Sequence, residues 1–124
     1  GYFARNSSAA LQKRMWAALK KQEVAISAIT RAETRFGLAL LQADDKRRRT
    51  IDLLLNELPV LPWTLEAADR YGEIAAHLQQ TGQPIGDMDT QIAAHALALG
   101  LSLVTHNMRH FGRVPGLKLE DWMT

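Results

Sequence analysis

The chain contains no cysteine, and this single absence excludes several kinds of chemistry. Disulfide bonds, thiolate zinc sites and cysteine nucleophiles all require a residue that the sequence lacks. A metal site has to be built from oxygen ligands and from the imidazoles of four histidines, so a hard divalent ion is the first expectation. A cysteine-free chain also fits the reducing interior of a cell.

Long hydrophobic runs and a strong charge of one sign are absent as well. The longest nearly apolar stretch, residues 92–104, is too short to span a bilayer, and no apolar segment of the signal-peptide type opens the chain. Fifteen Lys and Arg against thirteen Asp and Glu give a net charge of +2, which is too small for the whole surface to attract nucleic acid. We therefore expect a soluble, cytoplasmic protein without membrane contacts, in which any nucleic-acid site is local.

Three common functional motifs are also missing. The sequence has no glycine-rich phosphate loop, no Gly-x-Ser-x-Gly elbow and no Cys/His cluster, so nucleotide-binding and serine-hydrolase functions have no support. What remains is a chain of 124 residues, 47 % of them hydrophobic, which is enough for one domain that buries about two-thirds of its unfolded surface.

Apolar helical stripes alternate with short apolar runs, a pattern typical of a parallel sheet covered by helices on both faces. The predicted strands are Val24–Ser27, Val60–Leu61, Leu101–Val104 and Leu117–Leu119. The stripes of the predicted helices include Phe36, Leu40 and Leu41, then Ile51 to Leu58, Leu65 to Leu78 and Met88 to Leu99. Thr30 with Glu33 has the spacing of a capping box, Thr64 predicts a helix start, and Gly100 predicts a helix end.

Several polar side chains fall where predicted strands end and helices begin. Glu33 follows the first predicted strand, Asp87 and Asp89 open a helix, and Thr105 and Asn107 follow the strand that ends at Val104. In a parallel sheet these positions share one edge, where ligands bind. Carboxylates that converge there repel each other unless a cation lies between them, and oxygen ligands suit Mg²⁺ or Mn²⁺. A phosphodiester is a natural substrate of such a site.

Each of these residues also has a structural interpretation, which is favoured when the residue is taken singly. Glu33 could complete the capping box with Thr30. Asp87 and Asp89 could serve as an N-cap and as a charge on the helix dipole, each stabilising by about 0.5–1 kcal/mol. Convergence of the three groups on one edge favours the metal site.

Other polar residues carry weaker signals. His106 and His110 have the i, i+4 spacing of a helical metal pair, but without a metalloprotease pattern a solvated position or an RNA contact is favoured. His95 lies in an Ala/Leu helix and is interpreted as a core or interface residue. The basic run Lys46–Arg49 is typical of a solvated helix face, with phosphate or acidic-partner binding as the alternative.

Longer stretches of the sequence resemble one known family. The stretches are IGDMDTQIAAHA at Ile85–Ala96, LVTHNMRHF at Leu103–Phe111, RVPGL at Arg113–Leu117, EDW at Glu120–Trp122 and ISAITRAETRFG at Ile26–Gly37. From about Tyr2 to Trp122 the chain resembles the VapC-type toxins, which are PIN-domain ribonucleases of bacterial toxin–antitoxin pairs.

The resemblance implies a PIN-like, three-layer α/β/α fold with a central parallel sheet. It also implies a type II toxin that is an Mg²⁺- or Mn²⁺-dependent endoribonuclease and hydrolyses phosphodiester bonds of RNA, often tRNA. The family implies a homodimer, neutralisation by a VapB-type antitoxin in a hetero-oligomer, and operator DNA contacts made only through the antitoxin.

The resemblance also assigns roles to individual residues. The acid of the second motif maps onto Glu33, and the acid three residues before the Ile-Ala-Ala-His run maps onto Asp89. The last polar position of the site maps onto Asn107, with Thr105 beside it. Glu33 and Asp89 are the implied metal ligands, and Asp87 ranks only as a supporting acid.

The sequence departs from the family at its amino end. The family's first strand ends in a Leu-Asp-Thr-Asn-like motif, whose Asp is a principal metal ligand and which should stand ahead of Tyr2; the chain begins at Gly1. We therefore expect residues 1–124 to form a single PIN-like domain that lacks its first strand and has low activity by itself. A catalytically inactive PIN-like binding module and a nuclease acting on another nucleic acid remain alternatives.

Overall fold

The computed structural model describes residues 9–122, with side chains from residue 13 onwards. The helices are α1 (Ala9–Lys20), α2 (Ala28–Leu40), α3 (Lys46–Glu57), α4 (Leu65–Gln80), α5 (Asp87–Leu99) and α6 (Met108–Phe111). The strands are β1 (Ile26–Ser27), β2 (Val60–Leu61), β3 (Leu103–Val104) and β4 (Leu119–Glu120). Two compact units divide the chain, one up to Pro62 and one from Trp63 to Trp122.

In the first unit a parallel strand pair leads directly into a helix. Ile26 of β1 is aligned with Val60 of β2, and the Ile26 N–H donates to the Pro59 carbonyl at 2.9 Å. The Ser27 hydroxyl at the end of β1 accepts the Ile29 N–H at 3.0 Å and caps α2. The predicted capping box at Thr30 is therefore wrong, because Ser27 caps the helix three residues earlier.

The core of the first unit lies under α3. Ile51, Leu54 and Leu55 are almost fully buried, as the apolar stripe predicts. On α2 the buried residues are Thr34 and Leu38. The predicted apolar face of α2 is exposed in this unit, since Phe36 is 65 % exposed and Leu40 is 70 % exposed.

Polar bonds join α2 to α3 alongside this core. The Arg31 guanidinium donates to the Leu55 carbonyl at 2.8 Å. Arg35 forms an ion pair with Asp52 and also donates to the Asn56 side-chain oxygen at 3.2 Å. These bonds fix one face of α2 against α3.

The second unit is built on the packing of α4 against α5. Thr64 caps α4 as predicted, since its hydroxyl accepts the Ala67 N–H at 3.1 Å. The buried side chains are Ala67, Ile74 and Leu78 of α4 and Ile92, Ala93, Ala94 and His95 of α5. The predicted stripe is wrong for Leu65, which is exposed.

A second parallel pair follows α5. Gly100 ends α5 in the left-handed conformation with φ of 67°, as predicted, and glycine adopts this conformation without strain. Leu103 of β3 is aligned with Leu119 of β4, and the Thr105 N–H donates to the Glu120 carbonyl at 2.9 Å. This pairing places Thr105 at the carboxyl end of β3.

The described residues therefore carry short parallel strands that alternate with helices, as the sequence pattern predicts. The first strand that the resemblance places ahead of Tyr2 lies outside the described residues. Among residues 9–122 no helix combines the length and the hydropathy that a membrane crossing requires.

The core of the first unit leads to a stability prediction on α3. Leu54→Ala should lower the free energy of unfolding by about 2–5 kcal/mol, because Leu54 is 1 % exposed and its removal leaves a cavity. Leu53→Ala is the matched control, since Leu53 is 52 % exposed on the same helix and its loss should cost no more than about 0.5 kcal/mol. Urea denaturation measures both, and equal losses would contradict the assigned core.

Candidate functional site

Glu33 is half-buried on α2 in the first unit. It is the sixth residue of a helix whose cap is Ser27, so it lies too far along the helix to complete a capping box. The capping-box role, which was the structural alternative for Glu33, is therefore excluded.

Asp87 and Asp89 both lie in the first turn of α5. The N-cap is Gly86, with φ of 96° and no side-chain capping bond, so neither Asp is the N-cap. Both carboxylates are stabilised there by the positive end of the helix dipole. Asp87 is exposed, whereas the Asp89 side chain is 27 % exposed.

The loop after β3 is held by side-chain hydrogen bonds. The Thr105 hydroxyl accepts the Asn107 N–H at 3.0 Å. Asn107 caps α6, because its Oδ1 accepts the His110 N–H at 3.2 Å. The Asn107 amide nitrogen also lies 3.1 Å from His110 Nδ1.

His110 connects this loop to α5. Its Nδ1 lies 4.0 Å from Oδ2 of Asp89. Three predicted site residues of the second unit, Asp89, Thr105 and Asn107, are thus linked through a histidine. We call these four residues the Asp89 cluster. Glu33 belongs to the first unit.

Sequence reasoning did not place His110 in the site. It favoured a solvated position or an RNA contact for His106 and His110 over a helical metal pair, and the two histidines do not share a helix, because α6 starts at Met108. The His106 ring instead lies 3.0 Å from the Asp121 carboxylate. One feature of the sequence could have indicated this contact. His110 follows Asn107 by three residues, and this spacing brings the backbone N–H of His110 to the side chain of a capping Asn107.

His95 is a core residue, as its sequence context predicts. It is almost fully buried on α5, and its ring contacts Trp63 edge-on with centroids 5.4 Å apart. This packing gives His95 a structural role in the second unit.

The basic run at the start of α3 is partly occupied by local bonds. Asp45 caps α3, and its hydrogen bonds from Arg47 lower the pKa of the Asp45 carboxyl to about 2. The same pair raises the pKa of Arg47. The Arg48 guanidinium donates to the Leu41 carbonyl at 2.9 Å, while Lys46 and Arg49 are exposed. The run therefore stabilises a helix start as well as carrying charge.

The Asp89 cluster offers donors that fit a divalent cation. It contains a carboxylate, a hydroxyl, a side-chain carbonyl and an imidazole, all of which bind such ions in proteins. Within residues 13–122, no three His, Cys, Asp or Glu side chains are grouped as a metal site by themselves.

Comparison with known proteins finds one family. The PIN domain family model matches residues 2–117. The ribonuclease VapC2 of Rickettsia felis is 35 % identical over 103 residues, covering 83 % of this chain and 77 % of that protein. The tRNA(fMet)-specific endonuclease VapC of Salmonella typhimurium is 36 % identical over 104 residues, covering 84 % and 79 %.

Solved structures agree with the sequence comparison. VapBC2 of Rickettsia felis bound to a promoter DNA fragment matches with a TM-score of 0.83 and 30 % identity, covering 98 % of this chain and 91 % of that chain. DNA-bound VapBC of Salmonella typhimurium matches with a TM-score of 0.83 and 32 % identity, covering 98 % and 90 %. The expected PIN-like α/β/α fold is confirmed by these matches.

The Asn107 cap leads to a prediction about the loop. Asn107→Ala should lower the free energy of unfolding by about 1 kcal/mol, because the N–H at the start of α6 loses its acceptor. Asn107→Asp retains an oxygen at that position and should stay within about 0.5 kcal/mol of the parent protein. Urea denaturation compares the two variants. If both variants lose the same stability, Asn107 does not act as a cap.

Proposed function

This chain belongs to the PIN-domain family, among its VapC-type ribonucleases, and from that membership we propose that it is a toxin that cleaves RNA with a divalent cation held by Glu33 and Asp89. The observation that supports this proposal most directly is the Asp89 cluster, in which His110 Nδ1 lies 4.0 Å from the Asp89 carboxylate and 3.1 Å from the Asn107 amide nitrogen. The Asn107 N–H in turn donates to the Thr105 hydroxyl. The ribonucleases of this family are generally dependent on divalent metal ions, and Mg²⁺ and Mn²⁺ are the ions we propose.

The side chains of the chain have distinct tasks in this proposal. Asp89 provides a carboxylate in the first turn of α5, where the positive end of the helix dipole stabilises its negative charge. Asn107 and Thr105 present neutral oxygens from a loop that their own hydrogen bonds hold in place. A bound divalent cation supplies the remaining chemistry, by neutralising the charge that develops on the phosphoryl group and by acidifying an attacking water. Asp87 supports the site through its charge alone.

We propose tRNA as the RNA that is cut. The VapC relative from Salmonella typhimurium is named a tRNA(fMet)-specific endonuclease, and this chain covers 79 % of it. The net charge of +2 implies that recognition depends on a local surface rather than on the overall electrostatic field. The exposed Lys46 and Arg49 are candidate contacts for the phosphate backbone.

We also propose a VapB-type antitoxin as the partner, since VapBC complexes are among the matching structures. Phe36 and Leu40 are spaced i, i+4 on α2, and both are exposed. Adjacent large apolar side chains on one helix face are typical of a protein-binding surface. In this proposal the antitoxin covers the exposed pair Phe36 and Leu40 on α2.

The first prediction of the proposed function concerns the two acids. In the full-length protein, Glu33→Gln and Asp89→Asn should each reduce cleavage of a tRNA mixture by at least about 100-fold, because each variant removes a negatively charged ligand. Asp87→Asn should have a milder effect. Gel analysis of labelled tRNA in Mg²⁺ or Mn²⁺ measures the rates, and a chelator should stop the reaction.

Matched controls separate loss of chemistry from loss of charge. Glu57→Gln in the first unit and Asp69→Asn in the second alter exposed acids away from the assigned site and should leave the rate within about twofold. Near-normal cleavage by Asp89→Asn would overturn the site. A parent protein that is inert with both ions would favour the inactive binding module, and cutting of single-stranded DNA instead of RNA would favour the other nuclease.

The second prediction concerns the antitoxin surface. Phe36→Ala and Leu40→Ala should each weaken the complex with the antitoxin by about tenfold or more, because exposed apolar anchors contribute most of the binding energy at such interfaces. Leu65→Ala removes an exposed leucine from the other unit and serves as the control. Titration calorimetry measures the affinities. Unchanged affinity in a folded Phe36→Ala variant would show that the surface is wrongly placed.

A further inference from the structure

We infer that Arg109 and Arg113 form a phosphate-binding surface that holds the RNA backbone beside Asp89. We call these two residues the arginine pair. The inference rests on the proposed function, because it names the surface by which the same site takes its substrate. It goes beyond that function by assigning two substrate-binding residues in the second unit.

The positive charge of the chain is concentrated in one connection. Residues 105–118, which connect β3 to β4, contain three Arg and Lys residues and no Asp or Glu. The remainder of the chain contains twelve Lys and Arg against thirteen Asp and Glu, so the net charge of +2 originates in this connection. A basic segment without acids attracts a polyanion locally, even when the molecule as a whole is nearly neutral.

Two contacts place the arginine pair at the start of α5. The Arg113 guanidinium donates to the carbonyl of Pro84, in the loop that leads into α5, at 3.0 Å. His110, which lies between the two arginines in sequence, approaches the Asp89 carboxylate to 4.0 Å. The pair therefore flanks a residue that faces the first turn of α5. An RNA strand with a phosphodiester at Asp89 has neighbouring phosphates, and this part of the surface is where they would pass.

Both arginines have donors that a phosphate can use. Arg109 is exposed, and within residues 13–122 its side chain has no hydrogen-bond or ion-pair partner. Arg113 is partly exposed, and one of its guanidinium nitrogens is bound to the Pro84 carbonyl. Because a guanidinium has five N–H donors in a planar fork, this bond fixes the side chain and leaves further donors for a ligand. The fork matches the oxygens of a phosphate group.

The charge around Asp89 favours an RNA backbone as the ligand. A phosphodiester that approaches the start of α5 is repelled by the carboxylates of Asp87 and Asp89. Guanidinium groups beside the path of the strand offset part of this repulsion at the neighbouring phosphates. Lys118 does not belong to this surface. Its carbonyl accepts the Leu103 N–H at 2.8 Å, at the amino ends of β3 and β4, whereas the arginine pair follows the carboxyl end of β3.

The experiment measures binding without cleavage. The full-length protein is titrated into fluorescein-labelled tRNA in the presence of EDTA at several salt concentrations, and fluorescence anisotropy gives the dissociation constant. Arg109→Gln and Arg113→Gln should each weaken binding about threefold to tenfold. Each should also reduce the salt dependence, lowering the magnitude of the slope of log K against log salt by about 0.7–0.9, because one phosphate contact is lost. A purely structural role of either arginine would not change this slope.

Matched controls test whether the effect is local. Lys118→Gln removes a cation from the same connection, and Arg70→Gln removes an exposed arginine from α4 of the same unit. Both variants should keep the dissociation constant within about twofold of the parent value and leave the slope unchanged. Arg109→Lys retains the charge and should retain the slope. Arg109→Gln alters an exposed side chain, so it decides the question even if Arg113→Gln is destabilised by loss of the Pro84 bond.

The outcomes separate this inference from the proposed function. Unchanged affinity and slope in Arg109→Gln, or losses confined to Lys46→Gln and Arg49→Gln, would overturn the arginine pair, while tRNA cleavage by the parent protein would leave the proposed function intact. If Arg109→Gln binds tRNA normally but loses affinity for the antitoxin, the surface serves a protein partner and the inference is wrong. If tRNA binding depends on the pair but the protein cleaves no RNA, the inference stands and the proposed chemistry fails.

Discussion

The arrangement of the second unit's polar residues depends on one run of hydrogen bonds. The run starts at the Thr105 hydroxyl, passes through the Asn107 backbone and side chain, and ends at His110. Each bond uses a group that the previous bond has already oriented, so the loop has few alternative conformations. Thr105 itself is fixed by the pairing of β3 with β4. A short parallel strand pair thereby determines where an imidazole meets the Asp89 carboxylate.

The chemistry of such a site follows from charge. A carboxylate and a phosphodiester are both anions and repel each other in the absence of a cation. The start of α5 favours the Asp89 carboxylate, but the macrodipole carries only about half an elementary charge. A divalent ion supplies the larger positive charge that an anionic substrate requires.

The exposed apolar residues show how a helix can serve two functions. The sequence pattern predicts that Phe36 and Leu40 share an apolar face of α2, whereas the buried residues of this helix are Thr34 and Leu38. A helical stripe identifies residues that lie on the same face but does not determine what that face contacts. On α3 the same reasoning succeeds because Ile51, Leu54 and Leu55 face the protein's own core. The apolar pair on α2 is available to a partner.

The sequence by itself determined the succession of helices and strands, the Thr64 cap, the Gly100 helix end and the family, because each depends on local pattern or on short motifs. It also predicted that Glu33, Asp87, Asp89, Thr105 and Asn107 share one edge of a parallel sheet, and this stays a prediction. Tertiary structure decided which apolar residues are buried and that His110 joins the Asp89 cluster. These features depend on the approach of residues that are distant in sequence, and no local periodicity encodes that approach.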